Sequence, residues 1–251
     1  MKIQNFETRK IKTKGIFIIS TIYLNILTGG VSSLPYLNPN LLEGDIIEVR
    51  NSSRQIRNIK REATWPMGRI PYQLTYNIDY KLSVLIHEAI FHYNVLTCIR
   101  FVPRTYERDF VMIYEGGGCY SYIGKKGGLQ ILSLGKGCDY FPIVVHEFGH
   151  VVGLYHEHNR SDRDDYLTIH WNNIKKGMEI QFIKVNDSDF DTVDKFDYNS
   201  IMLYGERIFS KNGKLKTVEA KDGTELESLK KKYGLSHYDV LKIKRLYNCD
   251  N

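Results

Sequence analysis

Polar and apolar positions divide the chain into stretches of different period. Residues 15–28 are an apolar run carrying Ile16, Phe17, Ile18, Ile19, Ile22, Leu24, Ile26 and Leu27. Five basic residues (Lys2, Arg9, Lys10, Lys12, Lys14) precede it, and Gly29, Gly30, Ser32 and Ser33 follow. That order is the pattern of a secretory signal peptide, and the run falls short of the roughly 20 residues that a spanning helix needs. Residues 34–57 show no period. From Trp65 the pattern changes: Ile70 to Tyr76 alternates like a strand. Leu82, Ile86, Ala89, Ile90, Tyr93 and Leu96 recur at helical spacing and predict an amphipathic helix over 79–97. Phe110 to Tyr114 reads as a strand, and the cysteine-bounded residues 119–138 as two short strands around a glycine turn. A second helix is expected over 142–152. After Trp171 little period remains until Ser236 and Asp239, which form a capping box for a last helix with Leu241, Ile243, Leu246 and Tyr247.

A length of 251 residues suits one domain with a sizeable core, or at most two small ones, behind this leader. The net charge of +6 does not indicate a nucleic-acid surface, because residues 1–57 hold eight basic and four acidic side chains and so account for most of it. Lys230-Lys231-Lys232 reads as a solvated face. Four cysteines (Cys98, Cys119, Cys138, Cys249) behind a signal peptide imply two disulfides with three possible pairings. None stands in a C-x-x-C pair, which disfavours zinc binding by them. Asn51 and Asn186 begin glycosylation sequons; Asn159 does too, but inside the motif described next.

Residues 146–156 read His-Glu-Phe-Gly-His-Val-Val-Gly-Leu-Tyr-His. His146 and His150 are four apart, one turn apart on the same helix face. Neutral imidazoles so placed can hold one Zn²⁺, and Gly153 allows the sharp turn that brings His156 to the same ion. Three protein ligands leave one position open, as catalytic rather than structural zinc sites do. Glu147 stands where it can take a proton from the water at that position. His87 and His92 are a decoy: five residues apart, they point about 140° away from each other on a helix. They read as surface or packing residues.

The longer run from His146 through Glu157, Arg160, Asp162, Arg163, Asp164 and Tyr166 resembles the extended signature of the astacin family of zinc metalloendopeptidases, a branch of the metzincins. Ser200-Ile201-Met202-Leu203-Tyr204 stands where the metzincin methionine turn belongs. Trp65 to Tyr72, Thr97 to Phe101 and Leu246 to Cys249 also match, so the resemblance runs from about residue 58 to the end. It implies an α+β fold of two lobes: a twisted mixed sheet with helices in the N-terminal lobe, and a mostly irregular C-terminal lobe with a final helix. It further implies His146, His150 and His156 as ligands of one zinc ion, Glu147 as general base and Tyr204 as the residue that stabilises the tetrahedral intermediate. Met202 would be a structural floor. Glu157 would meet a new N-terminus after processing. The disulfides would be Cys98–Cys249 and Cys119–Cys138, and Tyr120 to Gly124 the edge strand that pairs with a peptide substrate.

The resemblance also gives a domain plan: signal peptide 1–30, pro-segment 31–57 and catalytic domain 58–251. An activating protease would cut after Arg57, or after Arg61. Leu42-Glu43-Gly44-Asp45 resembles the pro-segment motif whose aspartate takes the zinc in place of water, which makes Asp45 the latency residue; Leu42 replaces the family's phenylalanine. Leu203 departs from the usual histidine of the methionine turn, and His158, outside the ligand spacing, is expected at the surface. The expected protein is a secreted, monomeric endopeptidase acting on proteins or peptides, with no membrane attachment after signal cleavage. The alternative, a binding protein that kept the fold without catalysis, is opposed by the presence of all three ligands and the base.

Overall fold

In the computed structural model the described residues are 37–47, 63–185 and 195–249, all within one unit spanning Val31–Asn251. The expected signal peptide, the cleavage positions at Arg57 and Arg61, and the sequons at Asn51 and Asn186 lie outside them. Strand β1, Arg69–Leu74, buries Ile70, Pro71 and Tyr72 in succession rather than alternately. The reason is its central place: it pairs in parallel with a strand on each side, and such strands are covered on both faces. Helix α1, Tyr80–Leu96, starts where Asp79 accepts the Leu82 N–H at 2.7 Å, and it buries the five positions Leu82, Ile86, Ala89, Ile90 and Tyr93.

Four more strands follow: β2, Arg100–Pro103; β3, Phe110–Tyr114; β4, Cys119–Ser121; and β5, Leu129–Leu134. The sheet order is β2-β1-β3-β5-β4, parallel except for β4, which runs antiparallel to β5 at one edge. Helix α2, Phe141–Val152, lies against α1 and β4 with nearly every residue buried. The Tyr93 hydroxyl on α1 donates to the Val145 carbonyl at 2.8 Å and fixes how α2 sits.

Beyond α2 the chain is a series of single 3-10 turns, interrupted by β6, Leu167–Ile169, and β7, Val218–Ala220, which pair antiparallel. These strands and β2 were not legible in the sequence, being only three or four residues long. Helix α3, His237–Tyr247, closes the domain behind the expected capping box of Ser236 and Asp239. Its Tyr247 hydroxyl donates to the Val152 carbonyl at 2.7 Å, while the Trp65 indole N–H donates to the Val151 carbonyl at 2.9 Å. Both ends of the domain therefore clasp the end of α2. Disulfides join Cys98 to Cys249 and Cys119 to Cys138. The first spans 151 residues and removes on the order of 5 kcal/mol of chain entropy from the unfolded state. Among the described residues no helix is long and apolar enough to cross a membrane.

Of residues 37–47, Asp45 to Ile47 pair with the open edge of the sheet. Ser121 N–H donates to the Asp45 carbonyl and Ile47 N–H to the Ser121 carbonyl, both at 2.9 Å, a parallel pairing with β4. Leu42 and Ile46 bridge each other, which puts Glu43, Gly44 and Asp45 at the tip of a tight loop. Gly44 is required there: its φ is 94°, and a Cβ would stand 2.7 Å from the Phe209 ring.

Candidate metal centre

Helix α2 carries His146 and His150 one turn apart, with ring centroids 4.8 Å apart. It ends at Gly153, whose φ of 118° is a left-handed cap. The turn it makes places the Leu154 carbonyl 2.8 Å from His150 Nδ1 and brings His156 back against both rings. His146 Nδ1 is held by the Ile201 carbonyl, also at 2.8 Å. Each outer nitrogen so occupied leaves Nε2 directed inward.

Asp45 closes the group. Its Oδ2 lies 3.1 Å from His146 Nε2 and 3.3 Å from His156 Nε2, and its Oδ1 lies 3.4 Å from His150 Nε2. His146 Nε2 and His156 Nε2 are 3.1 Å apart. Ligands bound to a tetrahedral Zn²⁺ at about 2.0 Å stand roughly 3.3 Å from one another, so these four side chains have the spacing that one ion needs. Asp45 Oδ1 and His150 Nε2 are buried without a hydrogen-bond partner among the described residues, and an ion would satisfy both. The electrostatics agree. Burial alone would raise the Asp45 carboxyl, yet the charges of His156 and His150 and the His146 hydrogen bond hold it well below the usual range. Burial would lower His156, but Asp45 and Glu43 push it up to about 9. Two carboxylates converge on the buried imidazoles, while burial brings His146 down to about 4 despite its hydrogen bond to Asp45.

Tyr204 stacks beside His146 and His156, with centroids at 5.4 and 4.5 Å, and its hydroxyl donates to Asp45 Oδ2. Met202 lies beneath α2, close enough to Gly149 that a Cβ there would stand 2.6 Å from its sulfur. Leu203 is fully buried in the apolar core, where a side chain without polar atoms leaves nothing unpaired. Glu147 is buried, with Oε2 lacking a partner; burial first, then the Asp45 charge, raise its carboxyl well above the ordinary value. Glu157 is buried as well, accepting from Arg160 at 3.0 Å, Lys242 at 2.5 Å and the Asp197 N–H at 3.0 Å.

Two expectations need correction. His158 is not at the surface: it is 1% exposed, packed 5.2 Å from His156 and 5.3 Å from Tyr204. The single turn Glu157–Asn159 folds its side chain against His156 and Tyr204, and burial holds its pKa well below the usual imidazole value. Lys232 is not on a solvated face either. It is 8% exposed, and its ammonium donates to the Ser200 carbonyl of the methionine turn. The decoy histidines do stand apart: His87 is exposed, and His92 Nε2 accepts the Leu235 N–H at 3.0 Å. Asn159 is fully buried.

Three residues of the site escaped the sequence reading. Glu43 Oε2 accepts from His156 Nδ1 at 2.5 Å. Gln181 is buried, and its amide donates to the carbonyls of Pro39 at 3.3 Å and Leu41 at 3.1 Å. Asp239, read only as a cap, also accepts from Ser200 Oγ and Ile201 N. Glu43, two residues before Asp45, and Asp239, in the capping box, stood near a visible signal; Gln181 did not.

The family model Astacin, which describes a family of peptidases, matches residues 57–248. The chain is 43% identical over 215 residues to Astacin-like metalloprotease toxin 1 of Loxosceles intermedia, covering 83% of this chain and 81% of that protein. It is 38% identical over 217 residues to Zinc metalloproteinase nas-6 of Caenorhabditis elegans, covering 85% of this chain but 61% of that longer protein. Among solved structures, High choriolytic enzyme 1, a hatching enzyme zinc-protease from Oryzias latipes, superposes with a TM-score of 0.71 at 34% identity. That match covers 78% of this chain and all of that one.

Proposed function

From the premise that this chain belongs to the astacin family of peptidases and is a zinc metalloproteinase, we propose that it is a secreted endopeptidase made latent by its own residues 31–57. The observation that carries the reading is Asp45, whose carboxylate meets the Nε2 atoms of His146, His150 and His156 within 3.1–3.4 Å and accepts from Tyr204. Zinc held by the three histidines would supply Lewis acidity toward water and toward a peptide carbonyl.

The remaining work falls to the chain's own groups. Glu147 Oε2, unpartnered in its buried position, takes a proton from the attacking water and passes it to the leaving amine. The Tyr204 hydroxyl, released from Asp45, donates to the oxygen that becomes negative as the carbonyl is attacked. Strand β4 offers substrate the edge it now offers Ile46. In the latent form Asp45 and Tyr204 engage each other, and the parallel pairing with Ser121 fills that edge. Cleavage after Arg57 by an activating protease would remove the segment, and the freed α-amino group of Asn58 would join the charges around Glu157. Residues 1–30 direct secretion, and the partners are protein or peptide substrates.

The test is digestion of casein by the processed protein beside Glu147→Gln. The wild type is expected to cleave and to lose activity to a chelator that zinc restores. Glu147→Gln is expected to retain zinc and not cleave. Equal cleavage by both would sink this mechanism.

A further inference from the structure

The outer nitrogens of the three histidines are not held alike. His146 and His150 face the carbonyls of Ile201 and Leu154, both in the domain that remains after processing. His156 Nδ1 instead donates to the carboxylate of Glu43 at 2.5 Å. Glu43 is 3% exposed and takes a φ of 54°, a backbone conformation that non-glycine residues adopt at a cost. A buried carboxylate and a left-handed backbone are both unfavourable in isolation, and Glu43 combines them at this contact. The guanidinium of Arg163 supplies the nearby positive charge.

A carboxylate on the outer nitrogen of a ligating imidazole fixes its tautomer and ring plane and makes the inner nitrogen a better donor. The charge-assisted bond is roughly twice as strong as one to a neutral carbonyl. On the reading above, in which the chain up to Arg57 departs, His156 loses this partner at the same moment that the metal loses Asp45. We propose that Glu43 makes the uncut chain a tighter zinc site than the processed enzyme. The segment would load and retain the ion during biosynthesis, Asp45 from within the ligand set and Glu43 from behind His156. Latency and metal retention are then two tasks carried by side chains two positions apart.

The test is zinc affinity rather than activity, measured on the full chain by competition with a chromogenic chelator at fixed pH. Glu43→Ala is expected to weaken zinc about 10- to 100-fold, and Glu43→Gln, which keeps an acceptor but loses the charge, by less. The wild-type full chain is expected to outbind its processed product. The processed products of wild type and Glu43→Ala are expected to bind zinc equally, since position 43 has been removed from both. Equal affinity of the wild-type and Glu43→Ala full chains overturns the proposal, as does a loss that persists after processing. Should Glu43→Ala not fold, the near-isosteric Glu43→Gln decides, with unchanged affinity again overturning it. Asp45→Asn separates the two claims: if it leaves latency intact while Glu43→Ala weakens zinc, the latency reading fails and the role of Glu43 stands.

Discussion

The carboxylate of Asp239 accepts the Ile201 N–H at 2.7 Å, and the carbonyl of that same Ile201 faces His146 Nδ1 at 2.8 Å. The last helix thus reaches one imidazole of the candidate metal centre through a single residue, Ile201. Asp239 also accepts from Ser200 Oγ at 2.6 Å and from Ser236 N–H at 3.0 Å. Asp239→Ala leaves the buried Ser200 and Ile201 donors unpaired and is expected to cost about 2–4 kcal/mol of stability. With His146 no longer fixed, zinc affinity should fall about 10-fold. Denaturant unfolding and chelator competition measure the two effects. An Asp239→Ala chain that binds zinc like wild type would show that the methionine turn does not orient His146.

Asp45→Ala should unmask the enzyme without cleavage. The full chain then lacks the carboxylate that faces the three Nε2 atoms and accepts from Tyr204. A quenched fluorescent peptide should be hydrolysed by the intact Asp45→Ala chain and not by the intact wild type, with gel electrophoresis confirming that neither has been cut. Silence from both intact chains, with activity only after processing, would assign latency to residues other than Asp45.

Tyr204→Phe, assayed after processing, removes one donor and leaves the ring stacked on His146 and tilted against His156. The expected loss is about 100-fold in kcat with little change in KM or zinc content, since the hydroxyl is proposed to act on the charge that develops during attack. An unchanged kcat would reduce Tyr204 to a partner of Asp45 in the latent form.

Lys232 gives stability a pH dependence of definite sign. Burial lowers its pKa from the usual 10.5 to about 8, against the pull of Asp239 and Asp197. Below pH 8 both folded and unfolded chains carry the charge, and the full cost of burying it is present. Between pH 8 and 10.5 the folded chain sheds the proton first, so stability from this residue rises with pH. Relative to Lys232→Met, the wild type should gain roughly 3 kcal/mol across that window. A constant difference between the two chains in urea unfolding at pH 7.5 and pH 10 would show that Lys232 is not desolvated.

Much of this was written locally. Apolar residues at helical spacing placed α1 and α3; α2 was placed by its histidine motif, and β1 and β3 were legible as short strand-like runs although neither buries a single alternating face. The ligand trio was legible because two of its members lie on one helix turn and the third follows a glycine that the turn demands. The strands β2, β6 and β7 were not legible. Segments of three or four residues become strands only because a partner supplies hydrogen bonds, and the partner of β7, Leu167–Ile169, is about fifty residues away.

The sequence by itself determined which side chains can hold zinc, since ligand type and helical spacing are local properties. The tertiary structure decided what surrounds them. His158 and Lys232 look like surface residues in a one-dimensional reading, and both are buried because turns with no period fold them inward. Glu43 and Asp239 reach the ligands across 113 and 38 residues, to His156 and to Ile201, which in turn holds His146. No spacing rule spans such distances: contacts of that kind exist only once the chain has closed on itself.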